Sequence, residues 1–450
     1  MQALSWAAEL FGEADLGDLR RTDRLVMLAS KVVEGAERSL PSMLGNDAEN
    51  KAAQRFFANE GFSYENIIEP VIENTLDHAN SMERVLLVQD TSHLNFDSHI
   101  ATSGLGHIGS THDKSFQGIM MHWTLALDHK GACLGVASLK LWEREKTLKK
   151  QKLNAHQTKP ITEKESYKWL EAVESLDGKL SSKTQAIWIA DREADIYEHI
   201  AAIIAKNQDF VIRANTNRIV LGDEPLLKEC IRTAPVAGCA KLLIDASKEV
   251  EVEISFCDVH LLSQRKKGRA RHTQACEDHE ISLVRVAAKD PAEKLEWILL
   301  TTLPIDSLAD CLEVIWLYKQ RWQIELIHKA LKSGFRAQNL CLNNAEKLEK
   351  ALAIMVPCAA QVYRMAQLQH SSPSLPARAV LSKIECILLA KKFKKQRDYI
   401  PSIKEAWFWI GKMGGHRGSK SQAPPGQITF WRGLMELKAM AVGVMIYHQP

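Results

Sequence analysis

Two short apolar segments that each end on an aspartate constrain the fold of this chain most. RVLLVQD stops on Asp90, and AIWIAD stops on Asp191. The second segment is followed at once by a helical pattern in ADIYEHIAAIIAK and then by another apolar run, DFVIRA. Strand, acid, helix and strand in this order predict an α/β domain, whose ligand sites commonly lie at the carboxyl ends of the strands.

Helical patterns flank this α/β region on both sides. Apolar residues recur at helical spacing through residues 1–70 and again from Ser307 nearly to the end of the chain. Between about 216 and 301 the sequence is β-rich, which predicts an insertion of strands. A chain of 450 residues exceeds what one core usually organises, so two or three domains are expected.

Composition excludes several classes of protein. Hydrophobic residues make up 46% and charged residues 25%, which is ordinary for a globular chain and excludes wholesale disorder. The longest apolar runs fall short of the roughly 18 residues that a membrane helix needs, and the N-terminus resembles no secretory signal. We therefore expect no membrane partner and a cytoplasmic protein. The nine cysteines contain no CxxC pair, so reduced thiols are expected.

A third acid, Glu325, lies in a segment with helical spacing, WLYKQRWQIELIHKALKSGF. At 100° per residue, Tyr318, Arg321, Glu325 and Lys332 fall within an arc of roughly 60° over about 21 Å of helix. This predicts that the four side chains share one face. The alternative is a solvated face on which Arg321 and Glu325 form an ordinary surface pair. For Asp90 or Asp191 alone, the alternative is a helix N-cap, above all for Asp191.

The spacing Tyr-x2-Arg-x3-Glu-x6-Lys resembles the signature of bacterial cut-and-paste DDE transposases of the insertion-sequence-four type. Further stretches resemble the same family in the same order along almost the whole chain: LGDLRRTDRL, KAAQRFFAN, Asp90-Thr-Ser, DREADI, EWILLTT and RWQIELIHKALK. The sequence departs at Gln323 from a member of the family that has an arginine there, and this bears on DNA-end specificity rather than on the chemistry.

The resemblance implies a ribonuclease-H-like α/β catalytic core with three domains in all. These are a helical DNA-end-binding domain at 1–68, a catalytic domain at 69–368 with a β insertion at about 216–301, and a helical dimerisation domain at 369–450. It also implies two Mg²⁺ ions, for which Mn²⁺ can substitute, bridged by Asp90 and held singly by Asp191 and Glu325. Hard carboxylate oxygens suit such ions.

The resemblance further implies DNA contacts. Basic and aromatic residues near the third acid would bind transposon-end phosphates: Tyr318, Arg321, Trp322, Lys329 and Lys332. As exposed residues of a helix, Arg321 and Lys332 are expected to contribute little to folding. Trp297 would receive a flipped base, its alternative being a core aromatic. Arg20, Arg21 and Arg24 would contact the end, their alternative being a solvated helix face. Two basic clusters, at Arg265–His272 and Lys391–Arg397, could hold further phosphates or be solvated.

The function implied is DNA transposition by a homodimer on paired double-stranded DNA ends, with target DNA as a further partner. The reaction would comprise nicking, hairpin formation and resolution, and strand transfer by a 3′-hydroxyl. Two alternatives stay open from the sequence: a metal-dependent nuclease that cuts without joining, and a catalytically silent DNA-binding inhibitor.

Overall fold

The computed structural model of the protein describes residues 2–34, 39–44, 46–109, 116–144, 159–221, 226–244, 248–262, 278–396 and 398–418, with short stretches between 425 and 444. Within these residues the helices are α1 Gln2–Phe11, α2 Leu19–Glu34, α3 Leu40–Leu44, α4 Asp47–Phe57, α5 Tyr64–Asn80, α6 Tyr167–Ser175, α7 Tyr197–Ala205, α8 Leu227–Thr233, α9 Leu308–Gln320, α10 Trp322–Lys329, α11 Ala345–Ser371, α12 Lys383–Lys392 and α13 Ile403–Met413. The strands are β1 Arg84–Asn95, β2 Gly106–His107, β3 Gln117–Asp128, β4 Cys133–Trp142, β5 Gln185–Ala190, β6 Asp209–Arg213, β7 Val220–Leu221, β8 Val236–Leu243, β9 Glu249–Leu261, β10 His279–Ala288 and β11 Glu296–Thr301.

One mixed sheet organises the fold. Its strands follow the order β2-β3-β1-β5-β6-β11-β10-β9-β7, with β4 beside β3 and β8 beside β9. β1, β5 and β6 run parallel, whereas β1, β3 and β4 form an antiparallel meander, with β3 and β4 joined by a turn at Asp128–Gly131. Helices cover both faces of the sheet, as its two separate buried clusters show. The predicted α/β class is confirmed, and the architecture agrees with a ribonuclease-H-like core.

The first aspartate segment is longer than the sequence indicated. β1 does not stop at Asp90 but continues to Asn95. Its pairing with β5 ends at Val88, while its antiparallel pairing with β3 continues through Asn95. The prediction that Asp90 ends its strand is therefore wrong, because β3 supplies hydrogen-bond partners beyond the point where β5 ends.

The strands between 216 and 301 extend the central sheet. β11 pairs with β6, β10 with β11, and β9 with β10, so the hydrogen-bonded ladder continues without a break. The strands predicted there are present, and they lie edge to edge with the core strands. The basic cluster Arg265–His272 lies outside the described residues.

The N-terminal helices share a core with the long helix α11. α11 is buried over most of its length, and the same apolar cluster includes Phe11 of α1, Leu25 of α2 and residues of one face of the sheet. The Lys350 ammonium on α11 donates to the carbonyl of Asn59 at 2.7 Å. The helical character predicted for residues 1–70 is confirmed.

The expected domain boundaries fall inside helices. The boundary after residue 68 lies within α5, and that after residue 368 lies within α11. Beyond α11, Trp407 of α13 stacks on Phe430 with ring centroids 3.6 Å apart. Across the part of the chain that the structure describes, every helix is too short or too polar to cross a lipid bilayer.

Candidate active site

Asp90 on β1 and Asp191 just after β5, the first two acids, lie at matching register positions of these neighbouring parallel strands. Arg84 to Val88 of β1 pair with Gln185 to Ile189 of β5, so extending this register by two residues places Asp90 beside Asp191. One oxygen of Asp90, Oδ1, accepts a hydrogen bond from the amide of Thr91 at 2.9 Å. The carboxylate pair predicted from the two apolar runs is thus brought together by strand pairing, although only Asp191 follows the end of its strand.

Asp191 also has a local structural role. Its Oδ1 accepts a hydrogen bond from the amide of Glu193 at 2.8 Å and caps the short 3-10 helix Arg192–Ala194. The N-cap interpretation therefore describes a real contact, which involves one of the two carboxylate oxygens. α7 begins only at Tyr197, so Asp191 caps a turn and not the helix that follows.

A buried ion pair fixes the chain just beyond Asp191. Asp195 accepts hydrogen bonds from the amides of Asn215 and Thr216 at 2.8 and 2.9 Å and pairs with the guanidinium of Arg218. Both partners are nearly inaccessible to solvent. Because a buried charge is stable only when paired, this contact ties the loop after β5 to the loop after β6. This ion pair was not predicted from the sequence.

The third acid reaches the same place from a helix. Arg321 forms a turn between α9 and α10, and its Nη2 donates to Oε1 of Glu325 at 2.5 Å. Its Nη1 lies 4.0 Å from Oδ2 of Asp90. The side chains of Arg321 and Asp90 are only 15% and 17% exposed. Arg321 therefore lies against the sheet, and not on the solvated face that the alternative interpretation required. We call Asp90, Asp191 and Glu325 the carboxylate cluster.

The helix around Glu325 is not regular, so the predicted common face holds only in part. A π turn over Ala330–Gly334 changes the phase of the helix before Lys332. Lys332 nevertheless lies close enough to Asp90 for the two charges to interact. Its side chain is half-buried, and burial lowers the pKa of its ammonium. The expectation that Arg321 and Lys332 are exposed helix residues is wrong, because both lie against β1.

The aromatic residues near the cluster divide into buried and exposed ones. Tyr318 is buried and packs edge-on against Trp297, with ring centroids 5.3 Å apart. Trp297 itself is partly buried and packs against the main core, as its core-aromatic alternative predicts. Trp322 is 56% exposed and its ring lies 6.0 Å from the guanidinium carbon of Arg321. Lys329 is exposed on the same helix, so Trp322 and Lys329 are accessible to a ligand in solution.

The electrostatics of the carboxylate cluster reflect its crowding. Burial raises the pKa of Asp90 to about 7, opposed by the positive charge of Arg321 and the hydrogen bond from Thr91. The negative charges of Asp191 and Glu325 raise this pKa further. Asp90 therefore lies in a half-buried site beside two further carboxylates, and the counter-charges come from Arg321 and Lys332.

The chemical type of the donor atoms in the carboxylate cluster suits divalent metal ions. Carboxylate oxygens are the ligands that Mg²⁺ and Mn²⁺ prefer, and a cation would relieve the repulsion around Asp90. Within the described ranges, no three His, Cys, Asp or Glu side chains already stand together as a ligand set. Arg321 lies between Asp90 and Glu325, where its guanidinium supplies positive charge. The three acids thus fit metal ions provided that Arg321 withdraws from this position.

Two residues that the sequence analysis missed also contact the site. The indole Nε1 of Trp123 donates to Nε2 of His328 at 2.6 Å, and Nδ1 of His328 lies 3.8 Å from Oδ2 of Asp90. Burial, followed by the charges of Lys332 and Arg321, lowers the pKa of His328 to about 3. The position of His328, one helical turn after Glu325, could have indicated that it lies near the site. No sequence pattern links Trp123 to the site, because it lies on β3, far away in the chain.

Gln323, where the sequence departs from the family that it resembles, is engaged within the fold. Its Nε2 donates to the carbonyl of Gly131 at 3.0 Å, and its Oε1 accepts hydrogen bonds from Tyr363 and Gln367. Gly131 has φ +83° in the turn between β3 and β4, a conformation that favours glycine. The amide of Gln323 therefore links α10 to this turn and to α11.

The N-terminal arginines differ in how far they are engaged. Arg20 is 89% exposed at its side chain and pairs with Asp18 at 2.8 Å. Arg21 donates to the carbonyl of Leu16 at 2.8 Å, and Arg24 contacts the sulfur of Met27 at 3.6 Å. Lys391 to Gln396 of the second basic cluster include the end of α12, where Lys392 pairs with Glu436, while Arg397 lies outside the described residues.

Two protein families match the chain. The family described as Transposase DNA-binding matches residues 3–62, and the family described as Transposase DDE domain matches residues 169–360. The first match covers α1 to α4. The second contains Asp191 and Glu325, whereas Asp90 precedes it on β1. Together the two matches support a DDE transposase that acts on nucleic acid and has DNA as a partner.

Proposed function

We propose that the chain is a cut-and-paste transposase of the insertion-sequence-four type, resembling the transposase of transposon five. Its carboxylate cluster would hold two Mg²⁺ ions, or Mn²⁺ in their place, with Asp90 shared between them. One observation carries the proposal: Asp90, Asp191 and Glu325 come from β1, the end of β5 and α10, and yet they converge. The register of β1 and β5 places Asp191 beside Asp90, and the guanidinium of Arg321 lies within 4.0 Å of both Asp90 and Glu325.

The ions would supply charge stabilisation for the entering and leaving oxygens of a phosphodiester and a nucleophile generated from water. The chain's own residues hold the substrate. When Arg321 turns away from Glu325, its guanidinium can bind a phosphate oxygen next to the cluster, a role suited to its planar donors. Lys332 adds a second positive charge beside Asp90. These contacts position the strand without reading its sequence.

The exposed residues of α10 extend this surface. Trp322 presents an accessible ring beside Arg321, and Lys329 presents an exposed ammonium. Aromatic rings and basic side chains next to one another suit single-stranded or distorted DNA. Trp297 would receive a base flipped from the stack during hairpin formation, for which its partly buried ring would have to separate from Tyr318.

We propose that the active form is a homodimer on two paired DNA ends. The N-terminal helices, which match the transposase DNA-binding family, would bind the ends through Arg20, Arg21 and Arg24. Of these, Arg20 is the most accessible to a phosphate. The helices after residue 369 would join the two protomers.

The test is a single assay with Mg²⁺, a labelled candidate transposon end and a target plasmid. Strand-joined product supports the proposal. Cut ends without joining would indicate the nuclease alternative, and binding without cleavage would indicate the silent inhibitor.

Variants of the cluster sharpen this assay. Asp90→Ala and Glu325→Ala should abolish nicking and joining but leave end binding, measured by gel shift, largely unchanged. Asp191→Asn is the most informative variant, because asparagine can still accept the hydrogen bond from Glu193 and keep the cap. If this variant is inactive, the reaction requires the negative charge of Asp191 and not its capping hydrogen bond. Glu193→Ala, a neighbouring exposed acid, is the matched control and should cleave normally.

A further inference from the structure

Asp90 and Trp123 face the same side of the sheet. They are cross-strand partners in the antiparallel ladder of β1 and β3, so their side chains project together. α10 lies over this face and brings His328 against both of them. The histidine and the tryptophan are buried, at 7% and 0% exposure. A buried chain of three polar groups therefore runs from Trp123 through His328 to Asp90.

The contact with Trp123 fixes which nitrogen of His328 carries hydrogen. An indole N–H can only donate, so Nε2 of His328 must be an unprotonated acceptor. The neutral ring then carries its hydrogen on Nδ1. That atom is the one that lies 3.8 Å from Oδ2 of Asp90. The ring thus presents an N–H, and not a lone pair, to the carboxylate.

We propose that His328 is a positioning residue for Asp90, holding its carboxylate in one orientation through the Nδ1 hydrogen, with the tautomer set by Trp123. The inference rests on the proposed function, in which Asp90 is the shared metal ligand. The distance exceeds that of a direct hydrogen bond, but contacts of this kind are often long without substrate and shorten in the reacting complex. Oδ1 of Asp90 is already held by the amide of Thr91. Oδ2 lies near both His328 and Arg321, so once Arg321 turns away His328 supplies the restraint on Oδ2.

Two amide variants separate positioning from packing. In His328→Asn, the side-chain amide can replace the Nδ1 hydrogen but does not reach Trp123. In His328→Gln, the longer side chain can accept from Trp123 but offers no N–H at the position of Nδ1. Each variant therefore retains one half of the chain of contacts.

The measurements are the single-turnover rate of nicking at saturating DNA, the Mg²⁺ concentration at half-maximal rate and, without DNA, the rise in melting temperature that Mg²⁺ produces in each variant. His328→Leu, which loses both contacts, should lower the rate or raise the Mg²⁺ requirement about 10- to 100-fold, the usual effect of removing a partner of a metal ligand. His328→Asn should recover most of this loss, and His328→Gln should not. Trp123→Phe should slow nicking when it is the only substitution. It should have little effect when combined with His328→Asn, because Trp123 acts through the imidazole ring of His328.

A merely structural histidine would behave differently. Activity would then follow thermal stability, and His328→Gln, which keeps the contact with Trp123, would match or exceed His328→Asn; this result would overturn the inference. Asp90→Asn in the same assay separates the role of His328 from the proposed function. If Asp90→Asn cleaves normally, the proposed function fails at this residue. If Asp90→Asn is inactive while His328→Leu is normal, only the role of His328 fails.

Discussion

The guanidinium of Arg321 lies 4.0 Å from the carboxylate of Asp90 while it donates to Glu325. One positive group therefore neutralises two acids that come from a strand and a helix. The guanidinium is positively charged, like the metal ions that the acids are proposed to bind. It lies between Asp90 and Glu325, two of the proposed metal ligands. The arginine and the ions would compete for the same carboxylates.

Replacing Arg321 tests this competition. Arg321→Ala leaves Asp90 and Glu325 without their shared counter-charge, so we expect a loss of roughly 1 to 3 kcal/mol in the free energy of unfolding. Added Mg²⁺ should raise the melting temperature of the variant more than that of the wild type, since the freed carboxylates bind the ion better and ligand binding stabilises the native state. Calorimetry with and without Mg²⁺ measures both effects.

Lys329→Ala is the control for this experiment. Its side chain is exposed on the same helix, so its removal should change stability by less than about 1 kcal/mol. Equal Mg²⁺-dependent shifts in the wild type and Arg321→Ala would show that Arg321 does not occupy the position of a bound ion.

Trp297 is best tested with two substitutions because it packs on Tyr318. Trp297→Phe keeps an aromatic ring against Tyr318, whereas Trp297→Ala removes the packing and should cost about 3 kcal/mol or more if the ring is mainly a core residue. If the ring receives a flipped base, Trp297→Ala should nick DNA and then accumulate nicked ends on a denaturing gel. Completion of double-strand cleavage at the normal rate by a folded Trp297→Ala protein would exclude the flipping role.

The pair of Arg20 and Asp18 offers a test of end binding in both directions. Arg20→Gln should weaken binding and reduce the slope of log affinity against log salt by roughly 0.9, the contribution of one phosphate contact. Asp18→Asn frees the arginine from its partner and removes a negative charge, so it should tighten binding. Fluorescence anisotropy across a salt series measures both. An unchanged slope in Arg20→Gln would assign this arginine to a solvated face.

Stability should depend on pH through Glu349 of α11. Burial and then the carboxylates of Glu143 and Glu65 raise its pKa to about 8 from an ordinary value of 4.5. Between these values the folded protein keeps a proton that the unfolded chain releases, so stability should fall as pH rises from about 4.5 to 8.

Glu349→Gln should remove this part of the pH dependence and leave the variant more stable than the wild type at pH 8. We expect a gain of roughly 1 kcal/mol, because the carboxyl group is only half-buried and solvent screens it. Urea unfolding at pH 5 and pH 8 provides the comparison. Glu198→Gln, on the exposed side of α7, is the control. An identical pH dependence in the wild type and Glu349→Gln would contradict the prediction.

The sequence predicted those parts of the fold that depend on local pattern. The apolar run before Asp191 was a reliable strand signal, because β5 is buried and ends where its apolar residues end. The apolar run before Asp90 predicted the wrong strand end, since the strand continues through polar residues that pair with β3. Which residues a strand pairs with is set by distant parts of the chain, and periodicity does not encode it.

The same distinction applies to the candidate site. The spacing of Arg321 and Glu325 predicted their contact, whereas the approach of both to Asp90 depends on how α10 packs on the sheet. Tyr318 shows the limit most clearly. Angular spacing placed it on the expected functional face, but the structure buries it against Trp297. Angular position on a helix does not say which side of that helix the rest of the fold covers.

The shared core of α1, α2 and α11 has a consequence for how such proteins can diversify. The region that matches a DNA-binding family and the helix that supports the catalytic layer contribute to one cluster, and Lys350 ties them together at Asn59. Exchanging the first 62 residues for those of another element would therefore expose apolar surface on α11 unless the new segment carried the same inner face. New end specificities should arise by point changes on the outer surface of these helices, and seldom by swapping the segment as a module.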